Sequence, residues 1–168
     1  MEEYPNFFSN SGENLNELIF FIREAPFVFV IDASVCIKWF VSPNEKFVVN
    51  AKKLRQDLLN KRVLLIAPDL LLYEVSNALS YNTNLTKAAV IEAIKSLNLM
   101  NIKYVKPLEQ ILKITINLKF LKNITVYDAI YLGLAKFVNA QLLTADEKLY
   151  NSVKELGYVV LLSEYSIL

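Results

Sequence analysis

Four acidic residues stand where the sequence otherwise asks to be buried. Asp32 follows the apolar run 27–31, and Glu74 follows Leu70-Leu71-Leu72. Asp128 sits inside Thr125-Val126-Tyr127-Asp128-Ala129-Ile130, and Asp146 follows Leu142-Leu143-Thr144. A desolvated carboxylate is costly unless it is paired or bound to metal. Four such exceptions on one chain point to a single place where they converge. Carboxylates gathered at strand ends and helix starts are the oxygen-donor set that a hard divalent cation requires. The chemistry this suggests is metal-assisted work on phosphate.

Composition removes most other options. The sequence has no histidine and one cysteine, Cys36. Triads built on histidine, histidine-based acid–base nucleases and ordinary zinc sites are therefore excluded. Cys36 cannot form an internal disulfide and reads as a small core residue, so a cytoplasmic setting is expected. The glycines are Gly12, Gly133 and Gly157, too few for a P-loop or a dinucleotide fingerprint. Carboxylates, lysines and hydroxyls remain. No apolar run is long enough to span a bilayer, and the start Met1-Glu2-Glu3-Tyr4-Pro5 lacks the basic character of a signal peptide, so no membrane association is expected.

At 168 residues the chain fits one domain, and its 54% hydrophobic content leaves room for a buried subunit interface. The formal net charge of +1 hides an asymmetry. Residues 1–26 carry five acids against Arg23, whereas the remainder carries 17 basic and 12 acidic residues, four of them the suspected site acids. A basic body around an acidic pocket suits a polyanion held by lysines while its scissile phosphate meets metal. For any single lysine, a solvated surface role explains its presence equally well.

The elements that must position these acids follow from periodicity and punctuation. Strands are expected at 27–31, 63–67, 102–105, 141–143 and 158–162. Helices are expected at 34–41, within 44–60 (Phe47, Ala51, Leu54 and Leu58 on one face), from Pro68-Asp69 to Tyr81, and from Thr86 with Ala89, Ala93 and Leu97 on one face. Further helices run from Pro107 to Lys122, from Thr125 to Val138 and over 147–156. Strands alternating with helices predict an α/β fold with a parallel sheet covered on both faces. Ligands bind beyond the carboxyl ends of such strands, where Asp32 and Asp146 fall.

Each acid also has a purely structural reading. Asp32 could cap the helix after the first strand. Thr125-x-x-Asp128 reads as a capping box, and Thr144-x-x-Glu147 makes another around Asp146. Glu74 is harder to dismiss, because its neighbours Leu70, Leu71, Val75 and Ala78 are apolar; Asn77 could join its pocket or bond its carboxylate. Capping and metal binding are compatible, since aspartates at helix N-termini stay ionised. Ser34 and Thr144 could position a water or a phosphate oxygen, or serve as caps. Trp39, beside Phe40 and Val41, reads as core.

In this order and spacing the motifs resemble the PIN-domain family, in particular its VapC-type toxins. The resemblance covers roughly residues 27–163. It rests on Val30-Ile31-Asp32-Ala33-Ser34-Val35 with Lys38-Trp39-Phe40, and on Ala67-Pro68-Asp69 leading to Glu74-Val75-x-Asn77-Ala78-Leu79. Tyr127-Asp128-Ala129-x-Tyr131-x-x-Leu134-Ala135 and Leu143-Thr144-Ala145-Asp146-x-x-Leu149 complete it. Carried over position by position, the family's acidic quartet falls on Asp32, Glu74, Asp128 and Asp146, and its hydroxyl partners on Ser34 and Thr144. The resemblance implies a three-layer α/β/α PIN-like fold with a mainly parallel central sheet, a homodimer, magnesium or manganese, endoribonuclease activity on RNA and, for a toxin, a cognate antitoxin that covers the pocket.

One departure is the stretch 1–26 before a PIN-like domain at 27–168. Leu15, Leu18, Ile19 and Ile22 fit one face of a short helix across 14–23, which could pack on the domain, serve as a dimer arm or form a lid; packing is the preferred reading. Two other functions compete with a nuclease. A receiver-like phosphorylation switch would want paired acids after the first strand and a lysine after the last, neither of which is present. A scaffold that keeps the fold without cleaving is disfavoured by the intact quartet.

Overall fold

The computed structural model describes residues 11–41 and 45–167. Five strands, β1 (Val28–Ile31), β2 (Leu64–Pro68), β3 (Lys103–Val105), β4 (Gln141–Thr144) and β5 (Val159–Leu161), form one sheet in the order β3-β2-β1-β4-β5. Every pairing is parallel, with Val30 opposite Ile66 on one side and Leu142 on the other. β2 is buried along its whole length, and β1 from Phe29 onward. A parallel sheet covered on both faces requires this, which is why these strands read as unbroken apolar runs.

Eight helices connect and cover the strands: α1 (Ser11–Glu24), α2 (Ala33–Ile37), α3 (Val48–Leu59), α4 (Leu70–Ser80), α5 (Lys87–Asn98), α6 (Glu109–Lys122), α7 (Val126–Phe137) and α8 (Glu147–Val153). Connections β1–β2–β3 step one way along the sheet and β3–β4–β5 step the other. With right-handed crossovers that reversal places helices on both faces, giving the expected three-layer α/β/α arrangement. The central helix is α7, which lies against β1, β2 and β4 and packs along α6. Gly133 makes that packing possible: a Cβ there would meet Thr115 Oγ1 at 2.4 Å and the Ile111 carbonyl at 3.2 Å.

Local chemistry explains where the helices begin and end. Thr86 caps α5 by accepting from the Ala89 amide, and Thr125 caps α7 through the Asp128 amide. Asn123 closes α6 in the left-handed region at φ 49°, which asparagine tolerates well.

Several expectations need correction. α2 stops at Ile37 instead of reaching residue 41, because the next amides turn back to carbonyls three residues earlier and Trp39 Nε1 donates to the Ala51 carbonyl at 2.8 Å. Trp39 is thereby a core residue, as its neighbours suggest. α3 begins only at Val48, after Phe47 in the left-handed region. The buried stripe of α5 passes through Ala93 and Leu97, with Val90 and Ile94 beside it, and leaves Ala89 exposed.

α1 turns Leu18 into the core, with Phe21 and Ile22 packed against it, whereas Ile19 is exposed. Leu15 has its side chain outside the described residues. Lys103 on the edge strand β3 stands 3.9 Å above the Phe21 ring. No helix among the described residues is long and apolar enough to cross a membrane.

Candidate active site

The order in which the chain adds strands reverses between β1 and β4, which pair directly and in parallel. Beyond the carboxyl ends of these two strands lies the crevice where open α/β sheets bind ligands. Asp32 is the first residue after β1 and Asp146 the second after β4.

Both are helix caps. Asp32 caps α2, its Oδ1 accepting from the Val35 amide at 3.2 Å. Asp146 caps α8, its Oδ1 accepting from Lys148 N at 2.8 Å and Leu149 N at 2.9 Å. The capping box expected at Thr144-x-x-Glu147 is not formed; Asp146 is the cap residue. Thr144 instead accepts from the Asp146 amide at 3.0 Å, fixing the turn that delivers the carboxylate.

Two hydroxyls join the strands at this point. Ser34 donates to Asp32 Oδ1 and accepts from the Ala145 amide at 2.8 Å, and Thr144 Oγ1 lies 3.5 Å from Ser34 Oγ. Asp32 is only 5% exposed. Burial pushes its carboxyl up to about 6, and the charge of Asp146 pushes the same way, against hydrogen bonds from Ser34, Thr144 and Val35. An acid that remains costly to ionise despite three donors is an acid short of positive charge.

The other two acids come from α4 and α7. Glu74 is half-buried and accepts a hydrogen bond from the Tyr131 hydroxyl through Oε2. Burial raises its carboxyl above the ordinary value and the charge of Asp128 adds to the rise, while the Tyr131 bond opposes both. Asp128 is the third residue of α7 and half-buried. Its Oδ2 accepts from Thr125 Oγ1 at 2.7 Å and its amide donates to that oxygen at 3.0 Å. Thr125 caps α7 as expected, with the carboxylate bonding the Thr125 hydroxyl in place of the backbone amide that a full capping box would engage. The acids thus interact as two pairs, Asp32 with Asp146 and Glu74 with Asp128. Tyr131 lies near both pairs: burial chiefly raises its phenol, and the Glu74 hydrogen bond and the charges of Glu74 and Asp32 add to the rise.

As they stand, the acids are not a finished cage: among the described residues no three histidine, cysteine or acidic side chains are grouped to hold a metal ion. The donor set nevertheless fits one. It consists of oxygens alone, the acids repel one another in pairs, and at Glu74, Asp128 and Asp146 the hydrogen bonds fall on one carboxylate oxygen only. The second oxygen of each takes no hydrogen bond from the described residues. These features suit a hard divalent cation that keeps part of its water shell.

Asn77 lies one turn after Glu74 on α4, is exposed, and makes no hydrogen bond to Glu74. Cys36 is fully buried, and burial pushes its thiol well above the usual range, in keeping with packing. The residue that sequence reasoning passed over is Tyr131, quoted only as part of a motif. Its signal was a single hydroxyl in the apolar stretch Ala129-Ile130-Tyr131-Leu132, three residues after Asp128.

The fold is an α/β protein with Asp32 and Asp146 just beyond the strand ends at the switch point of a parallel sheet. The PIN domain family profile matches residues 29–155, and the chain belongs to that family. PIN domains are generally nucleases, so membership supports a nuclease-type function. Solved structures share the fold at low identity. PAE2754 from Pyrobaculum aerophilum is 19% identical with a TM-score of 0.58, over 82% of this chain and 90% of that one. FitAB bound to the IR36 DNA fragment is 15% identical with a TM-score of 0.60, over 83% and 98%. VapBC2 from Rickettsia felis, bound to a DNA fragment from its promoter, is 13% identical with a TM-score of 0.56, over 80% and 97%. No curated protein matches the sequence. The match to the family begins within β1, so α1 lies outside it.

Proposed function

We propose that this protein is a metal-dependent endoribonuclease that hydrolyses RNA phosphodiester bonds, and that it is the toxin of a toxin–antitoxin pair. The observation that supports the nuclease reading is the pair of acid couplings, Asp32 with Asp146 beyond the carboxyl ends of β1 and β4 and Glu74 with Asp128 on α4 and α7, in which burial first and the neighbouring charge second raise Asp32 and Glu74. Asp32 and Asp146 would hold magnesium or manganese, with Glu74 and Asp128 completing the shell or holding a second ion. When bound, such a cation polarises the phosphate and lowers the pKa of a water.

The chain's own residues supply the frame. Ser34 and Thr144 lock β1 and β4 at the spacing that sets Asp32 against Asp146. Asp32 and Asp146 cap the N-termini of α2 and α8, which fixes where each carboxylate stands. With no histidine in the chain, no imidazole is available to drive attack by the ribose 2′-hydroxyl. Water is the expected nucleophile, and the products should carry 5′-phosphate and 3′-hydroxyl ends.

The toxin reading is supported by likeness to FitAB and VapBC2, each named as a two-component complex on DNA. A homodimer is supported by an apolar groove lined by Leu70, Leu112 and Ile130, with Tyr73, Val126 and Tyr127 exposed along it. The deciding experiment is RNA cleavage with manganese and with EDTA, with the ends of the fragments mapped. Cyclic 2′,3′-phosphate ends, or cleavage that survives EDTA, would overturn the mechanism.

A further inference from the structure

Tyr131 is almost wholly buried, at 2% exposure, and its ring belongs to the core. A phenylalanine would fill the same space without bringing a hydroxyl out of water. A buried hydroxyl without a partner costs about 1–3 kcal/mol, so a tyrosine here needs an acceptor. The acceptor is Glu74 Oε2 on a different helix, 57 residues earlier in the chain. Among the described residues this is the only side-chain hydrogen bond between α4 and α7.

We propose that Tyr131 is a positioning residue that fixes the Glu74 carboxylate for a divalent cation, an inference that rests on the four-carboxylate reading of the site. A half-buried glutamate on a helix has three torsions to settle, and ordering it costs rotamer entropy. A phenol on a packed ring is a rigid donor. By taking Oε2 it leaves Oε1 free of hydrogen bonds from the described residues. Hydrogen bonds of this kind, from side chains that do not themselves touch the metal, orient carboxylate ligands and tune affinity by about 10–100-fold.

The position suits the role. Tyr131 lies one turn beyond Asp128 on α7, so the helix that presents one acid also orients another.

The experiment measures manganese binding by the loss of the free-ion paramagnetic resonance signal. The proteins are wild type, Tyr131→Phe, Glu74→Gln, the double variant and Asp146→Asn, each also unfolded thermally in EDTA. Tyr131→Phe should bind manganese roughly tenfold more weakly while melting in EDTA close to wild type. In the Glu74→Gln background the same change should weaken binding no further, because its effect passes through the carboxylate. A packing role would not give that non-additivity. RNA cleavage by Tyr131→Phe should lose kcat with KM retained.

Unchanged manganese affinity in Tyr131→Phe, or a loss that adds fully to that of Glu74→Gln, would overturn the role. Tighter binding would also overturn it, showing a phenol that competes with the cation. If Asp146→Asn weakens binding and Tyr131→Phe does not, only the Tyr131 inference fails. If wild type takes up no manganese, the four-carboxylate reading fails and this inference with it.

Discussion

Ser34 Oγ and Thr144 Oγ1 stand 3.5 Å apart although 110 positions separate them in sequence. Each serves a strand end that delivers an acid: Ser34 donates to Asp32 and accepts from Ala145 N, and Thr144 accepts from Asp146 N. Thr144 is completely buried. Thr144→Val keeps the volume and deletes the acceptor, leaving an amide unsatisfied at a cost of about 1–3 kcal/mol. Ser34→Ala strands the Ala145 amide in the same way. The two losses should add incompletely, since the hydroxyls share one network. Urea unfolding of the single and double variants checks this; full additivity would mean that the seam is not one unit.

Asp32 sets a pH dependence in the metal-free protein. Its carboxyl rises from the ordinary 3.8 to about 6 in the folded state, chiefly through burial, with the charge of Asp146 adding to it. Between those values the folded protein holds a proton that the unfolded chain has released. Stability from this group is therefore highest at acid pH and declines as pH rises through the window, the loss being complete above about 6. A shift of about two units corresponds to roughly 3 kcal/mol. Asp32→Asn keeps a capping oxygen and cannot ionise, so in EDTA it should gain on wild type by roughly 2–3 kcal/mol between pH 4.5 and 7. A constant difference across that range would show that Asp32 ionises freely without metal.

Much of this architecture is legible in the sequence because its signals are local. The apolar runs of β1 and β2, and the caps at Thr86 and Thr125, depend on residues within one turn or one strand. Alternation of strands and helices implies a parallel sheet, and the four acids stand out as polar residues in apolar sequence. Contacts across the fold are not legible in the same way. Nothing near Trp39 indicates that its indole will reach Ala51 and end α2 early. Nothing near Tyr165 indicates that its hydroxyl will donate to the buried Asp57 on α3 at 2.9 Å. Tyr131 and Glu74 are likewise joined only in the folded chain, 57 positions apart in sequence.

The N-terminal helix should matter to stability rather than to catalysis. Leu18 is buried in the core and Phe21 packs against it. Arg23 is exposed and forms no salt bridge among the described residues, so nothing presents it as a counter-charge to the acidic pocket. Leu18→Ala should cost about 2–4 kcal/mol, the range for a leucine removed from a core. Deletion of residues 1–26 should likewise lower the melting temperature. In both variants RNA cleavage per folded molecule should stay close to wild type. Higher specific activity in the deletion, without loss of stability, would identify a lid.

Asp146 carries two roles that one substitution separates. Its Oδ1 caps α8 through two amides while its charge faces Asp32. Replacing a cap with alanine costs typically about 1 kcal/mol, whereas asparagine caps about as well as aspartate. Asp146→Asn should therefore leave α8 intact. In the metal-free protein it also removes a like charge from Asp32, so stability in EDTA should be unchanged or slightly higher. With manganese the order reverses. A ligand that binds only the folded state raises stability in proportion to the logarithm of its concentration over Kd, so the variant should show a smaller rise in melting temperature and slower RNA cleavage. The measurement is thermal unfolding of both proteins in EDTA and in manganese, beside the cleavage assay. Equal manganese shifts and equal activity would reduce Asp146 to a helix cap and remove it from the site.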